Sequence, residues 1–266
     1  MSADPCSTPD WRSAEAYRPL LDADPAVWAW EFDRRGVRRE AGDPGDTATG
    51  LCFAGPGPHG DRVPAVLWSW RADPSVPVLE VERARAGEPG ALDLRALDLA
   101  ILVVRTDDGE QHVMVSDGRR RLRLAIVQGD VLSGPVACRY RLPAGAVAAP
   151  SLAGLRLLLA LRDTGHLPIA GARPPARSAR WVEILRAHDA RRDGASQREI
   201  ATLLFGRARV EEDWAGRSDY MRMRVQRLLR AAEDLVAGGY RSVCGLGAGR
   251  VEPHPVAEVW RSPAWL

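Results

Sequence analysis

Three kinds of hydrophobic pattern follow one another along the chain. Between Asp10 and Arg35, residues Trp11, Tyr17, Leu20, Leu21, Val27, Trp28, Trp30 and Phe32 recur at uneven helical spacing, and Pro19 and Pro25 interrupt the run. A proline inside a helix removes an amide donor and clashes with the preceding turn, so the pattern predicts two short helices joined at Asp24-Pro25. Their aromatic side chains form a docking face, assigned to the chain's own core ahead of a second subunit. Between residues 65 and 142 the pattern changes to short apolar runs at 65–70, 76–81, 101–105, 112–116, 121–127 and 136–142. Several alternate, which places successive side chains on opposite faces of a sheet. Asp107-Asp108-Gly109 and Asp117-Gly118 are turn signals between runs, so a small antiparallel sheet is expected, with a helix at 92–100 inside it. After Pro143 helical spacing returns. The stretch 151–164 is apolar nearly all round and predicts a largely buried helix stopped at Gly165. Ser178 is placed to cap a helix over 179–192, with Trp181, Ile184, Leu185 and His188 on one side.

The next two segments carry more chemistry. Ser196 and Glu199 stand in S-x-x-E spacing, in which each residue satisfies an amide of the other, so a helix starts at Ser196. Ile200, Ala201, Leu203 and Leu204 share one side, and Gly206 ends the segment. The preceding helix stops at Asp193-Gly194, and two short helices meeting at a glycine turn form the first half of a helix-turn-helix. In the run 218–237, with Arg222 as origin and about 100° per residue, Met221, Val225, Leu228, Leu229, Ala232, Leu235 and Val236 fall within roughly 220–340°. The opposite arc carries Gln226, Arg230 and Arg227 at roughly 40°, 80° and 140°, with Tyr220 among them and Arg222 and Arg224 at its flanks. A guanidinium forks onto guanine O6 and N7, a glutamine onto adenine, and either can hold phosphate. A merely solvated helix more often pairs its charges at i,i+4. Here Glu233 and Asp234 come only near the end, which leaves Asp219 as the acid of the first half. Thirteen residues separate Leu204 from Ser218, against about 3–4 in the compact motif, so either 210–214 add a turn or the long helix docks differently. Arg207, Arg209 and Arg217 in this link suit phosphate contact, whereas Glu211, Glu212 and Asp213 would repel it.

Composition adds polarity to this picture. The 266 residues fit two domains, and their net charge of +2 conceals −6 over residues 1–100 (11 Arg, 17 acids) and +6 over 151–247 (17 Arg, 11 acids). That asymmetry favours a polyanion as partner of the second half. All 37 basic residues are arginine, a bias assigned to genome composition ahead of selection for guanidinium chemistry. Cys6, Cys52, Cys138 and Cys244 form no CxxC, the five histidines lie far apart, and no metal, P-loop, G-x-S-x-G or dinucleotide signature occurs. Neither a cofactor, a metal nor an enzyme activity is expected. Without an apolar run of membrane length or a secretory start, the chain reads as cytoplasmic with no membrane partner. The basic cluster at 119–123 reads as a solvated strand face ahead of a phosphate contact, and the tail at 248–266, with two tryptophans among prolines, as packing or as a partner peptide.

Taken in order, GRRRLRLAIVQG (118–129), SGPVACRYRLP (133–143), GASQREIATLLFG (194–206), Trp214 and RMRVQRLLRAAEDLVAGGYR (222–241) resemble the transcription-factor DNA-binding domain typified by RovC and by excision activators of conjugative elements such as FseA. Residues 9–35 look like the small regulator-like domain that often precedes it. The resemblance implies a transcriptional regulator, often an activator, encoded on mobile genetic elements. By it, Ser196, Gln197 and Arg198 begin a positioning helix, while Arg222, Arg224, Gln226, Arg227 and Arg230 face double-stranded DNA; Arg217, from its place in the link, joins them as an expected DNA contact. The expected architecture is α+β: an N-terminal helical segment at 1–40, a Gly/Pro-rich loop at 41–62, a small antiparallel sheet at 63–145, a helix-turn-helix-like DNA-binding module at 146–247 and the tail. A homo-oligomer and a regulatory protein partner are further expectations. The rival reading is a protein-binding antiactivator that does not touch DNA.

Overall fold

The computed structural model describes residues 7–36, 49–142, 148–168, 175–214, 220–247, 251–252 and 254–266. In chain order its elements are α1 (Pro25–Asp33), β1 (Leu51–Gly55), β2 (Ala65–Trp68), β3 (Val78–Arg83), β4 (Ala100–Thr106), β5 (Gln111–Ser116), β6 (Arg121–Gln128), β7 (Val136–Arg141), α2 (Ala148–Thr164), α3 (Ser178–Arg192), α4 (Gln197–Phe205), α5 (Arg207–Trp214), α6 (Tyr220–Asp234), α7 (Tyr240–Val243) and β8 (Val256–Arg261). The fold is α+β. No helix among the described residues is long and apolar enough to cross a membrane.

Two compact units divide the chain, one of 1–6, 39–172 and 244–266, the other of 7–38 and 173–243. This differs from the sequence-based segments at three joints. The N-terminal residues join the late helices, α2 joins the sheet, and the tail returns to the sheet.

The first unit is built on a six-stranded sheet in the order β7-β3-β6-β5-β4-β8. Gly109 and Gly118 adopt positive φ in the β4–β5 and β5–β6 turns, as the Asp-Gly signals require. The expectation of a purely antiparallel sheet needs correction: β3 runs parallel to β6. Apolar runs record burial but not strand direction. The helix expected at 92–100 is only a 3-10 turn at Leu94–Ala96, because Leu92 bridges to Val136 and Ala100 already belongs to β4. Part of the expected 41–62 loop is β1, paired antiparallel with β2.

One sheet face presents Leu79, Ile101, Val113, Leu122 and Leu124 to Leu158 and Leu161 of α2. Gly154 lets the helix approach closely, since a Cβ there would lie 2.7 Å from Pro77 Cγ. Among the described side chains of α2 only Ser151, Leu158 and Leu161 are deeply buried, and Leu152 is exposed, so the largely buried helix expected from the apolar run is buried along one stripe. The other face places Leu102, Val104 and Met114 against Ala65, Leu67 and Trp265. The tail therefore acts as an edge strand and a plug. Arginines 120, 121 and 123 are not a solvated row: Arg120 binds Asp117, Arg121 binds Asp61 at 2.8 Å and the Pro64 carbonyl at 2.6 Å, and Arg123 donates to the Val66 carbonyl.

In the second unit, Asp24 accepts from the amides of Ala26 and Val27, and Pro25 stands where its missing N–H costs nothing. Residues 26–32 of α1 are all buried. Trp28 and Phe32 meet Trp181 of α3 edge-on at 5.1 and 6.0 Å between ring centroids. Truncating one such ring to alanine costs about 3–5 kcal/mol. Beside them, Arg35 donates from Nε and Nη2 to the two oxygens of Asp189 at 2.7 and 2.8 Å, and also binds Glu31. Tyr17 donates to Asp189 at 2.6 Å. Burial alone would raise the Asp189 carboxyl, but hydrogen bonds from His188, Arg35 and Tyr17 with the Arg35 charge hold it far below the usual carboxylate range. Ser178 is not the cap of α3: Arg177 holds that position, and the Ser178 hydroxyl donates to the Pro175 carbonyl.

Candidate nucleic-acid interface

Ser196 caps α4 as its spacing requires. Its Oγ accepts from the Glu199 amide at 3.3 Å, and its own amide donates to the Glu199 carboxylate at 2.8 Å. The backbone hydrogen bond from Ser196 holds the exposed Glu199 carboxyl below its ordinary range. Ser196 is thus engaged in the cap with a carboxylate beside it. Gln197 is half-exposed and Arg198 exposed. The turn before the cap uses Gly194 at φ 84° and is held from the N-terminal segment: Trp11 donates to Asp193 at 2.8 Å, and Arg12 lies 3.2 Å from the same carboxylate.

Gly206, at φ 89°, is the one residue between α4 and α5. Helix α5 occupies most of the link that is too long for a compact helix-turn-helix. It buries Val210 and exposes Arg207, Arg209, Glu211 and Glu212, with Arg209 3.8 Å from Asp213. Arg217 lies outside the described residues, as does Ser218.

Helix α6 is shorter than the apolar periodicity predicts, because the backbone widens into a π turn at Leu235–Gly239, where Gly238 takes φ 122°. It buries Met221, Val225, Leu228 and Ala232, four members of the expected stripe, while Leu229, Leu235 and Val236 are half-buried. Arg222, Gln226, Arg227 and Arg230 are exposed. Arg222, Gln226 and Arg230 form one i,i+4 row, and Arg227 stands on the adjacent row. Among the described residues no carboxylate lies within ion-pair distance of Arg198, Arg227 or Arg230. Arg224 behaves differently: half-buried, its guanidinium sits 4.0 Å from the Phe205 ring centroid and ties α6 to α4.

Two contributions escape the periodicity of α6 alone. Arg191 and Arg192, exposed at the end of α3, line a shallow cleft with His188 and with Leu229, Ala232 and Glu233 of α6, so the basic surface extends across two helices. Neighbouring arginines at a helix end were a visible signal, but only the α3–α6 packing puts them beside the α6 face. Met223 lies on that face too, 52% exposed. The same 100° progression that located the arginines would have found it.

Residues 143–244 match the family model of the RovC DNA-binding domain, described as "T6SS, Transcription factor, DNA binding domain". The match takes in α2 of the sheet unit and the late helices of the second unit. No curated protein matches the chain. The family match supports a DNA-binding regulator.

Proposed function

We propose that the protein is a sequence-specific DNA-binding transcriptional regulator whose helix α6 lies in a DNA groove. The observation that carries this reading is the row of exposed guanidinium groups on α6, with no carboxylate paired to Arg227 or Arg230 among the described residues, inside the region similar to a transcription factor's DNA-binding domain. Arg222, Gln226 and Arg227 meet base edges or phosphate, and Arg230 the backbone. Gln197 and Arg198 brace α4 on phosphates, whereas Ser196 serves by starting that helix and Arg224 by fixing α6 against Phe205. Arg217, by its place just before α6, is a further phosphate contact. Activation is the sign of regulation that the resemblance implies.

The test uses the full-length protein on duplex DNA across about 50–200 mM salt. Arg227→Ala and Arg230→Ala are each expected to flatten the dependence of log affinity on log salt by about one. Being exposed, both should leave stability within about 0.5 kcal/mol of the parent. In a reporter driven by a promoter recovered by footprinting, expression should rise with the parent protein and not with the double variant. A double variant that binds and activates like the parent would remove α6 from the interface. Promoter activity without duplex binding would favour a protein-binding role.

A further inference from the structure

The first turn of α6 exposes a thioether in the middle of a cationic surface. Met223 is 52% and Tyr220 46% exposed, although the same helix buries Met221, Val225, Leu228 and Ala232. Met223 therefore contributes little to the core. At about 100° per residue it falls roughly 100° from Arg222, between Arg230 and Arg227. Guanidinium groups on both sides suit the phosphates of a duplex, and a duplex carries one apolar group on its base edges, the C5 methyl of thymine in the major groove. The minor groove has none. A helix entering the major groove leads with its N-terminal residues, and Met223 is the fourth residue of α6. Its unbranched side chain adapts to an irregular apolar surface.

We propose that Met223 is a specificity residue that packs its Cε methyl against a thymine methyl in the major groove, with the neighbouring arginines on the flanking phosphates and guanines. This rests on the DNA-binding reading of α6 and commits it to one groove.

The full-length protein is used to select duplex sites from a randomised pool. Each thymine of a selected site is then replaced in turn by deoxyuridine, which removes only the methyl. The parent protein is expected to lose about three- to fivefold in affinity at one or two positions, the worth of one buried methyl. Met223→Ala should bind the unmodified site about three- to fivefold more weakly, show no discrimination at those positions, and keep the parent's salt dependence and melting temperature. A parent protein without salt-steep duplex binding would sink the DNA-binding reading and this one with it. Steep binding without thymine discrimination at any position, or discrimination that survives Met223→Ala, would overturn the Met223 assignment alone. A dimer that dissociates on Met223→Ala in sedimentation would also overturn it, by assigning the side chain to contact between copies.

Discussion

The sheet unit and the helical unit exclude water by different means. The sheet is covered on both faces largely by aliphatic side chains, with Leu158 and Leu161 of α2 on one and Leu67 beside the indole of Trp265 on the other. Of its buried ionisable residues Asp73, Glu110 and His112, the last is 3% exposed and has an Nδ1 with no partner among the described residues. Burial lowers this imidazole to about 4, so it stays neutral. The helical unit instead closes on three aromatic rings and a buried charge network, Arg35 with Glu31 and Asp189. An aliphatic core tolerates imperfect neighbours, whereas a buried charge network demands every member. The unit bearing the candidate interface is therefore the one that depends on a segment some 150 residues away in the chain: Arg35 and Asp189 are separated by 154 positions.

That contrast breaks most completely under truncation. A chain of residues 150–247, the natural choice for isolating the late helices, lacks α1 and parts α2 from its sheet. It is expected to show no cooperative thermal transition by circular dichroism, while the full chain melts cooperatively. A sharp transition and dispersed amide NMR signals from the fragment would show that α1 is dispensable. Next in size is Arg35→Met, which leaves Asp189 buried without its guanidinium and Glu31 with Arg34 alone and should cost about 3–5 kcal/mol in urea unfolding of the helical unit. Adding Asp189→Leu should recover part of that loss. No recovery would mean that geometry, rather than charge balance, makes the network necessary.

Acid should separate the units with the smallest of these effects. His112 titrates near 6.5 when unfolded and about 4 when folded, so the unfolded state takes up the proton first as pH falls. The sheet unit holds this contribution above about pH 6.5 and loses roughly 3 kcal/mol of it by pH 4. Asp189, held low when folded, keeps its contribution above the ordinary carboxylate range, near pH 4, and surrenders it only below. Urea melts followed by residue-resolved NMR at pH 7, 5.5 and 4.5 should therefore weaken the sheet unit first, and His112→Leu should remove that early loss. Both units weakening in parallel would place the acid sensitivity elsewhere.

How much was legible beforehand follows from the range of the interactions. Capping at Ser196, the Asp24-Pro25 helix start, the Asp-Gly hairpins and the stripe of α6 involve residues within a few positions of one another, and each can be read directly from spacing. Arg224 could not be distinguished from Arg227 in that way, because only the docking of α4 brings Phe205 beneath it. Arg121 and Arg123 looked like solvated charges until the Pro64 and Val66 carbonyls came to meet them.

The amino-acid order by itself determined helices α1 to α4 and α6 and most strands, the charge polarity and the guanidinium face of α6, since short-range sterics and local hydrogen bonds suffice for these. Tertiary structure alone decided the parallel β3–β6 pair, the return of the tail as β8 and the closure of the late helices by α1. Each depends on contacts between distant segments, whose favourable partner is known only once the chain has been brought together.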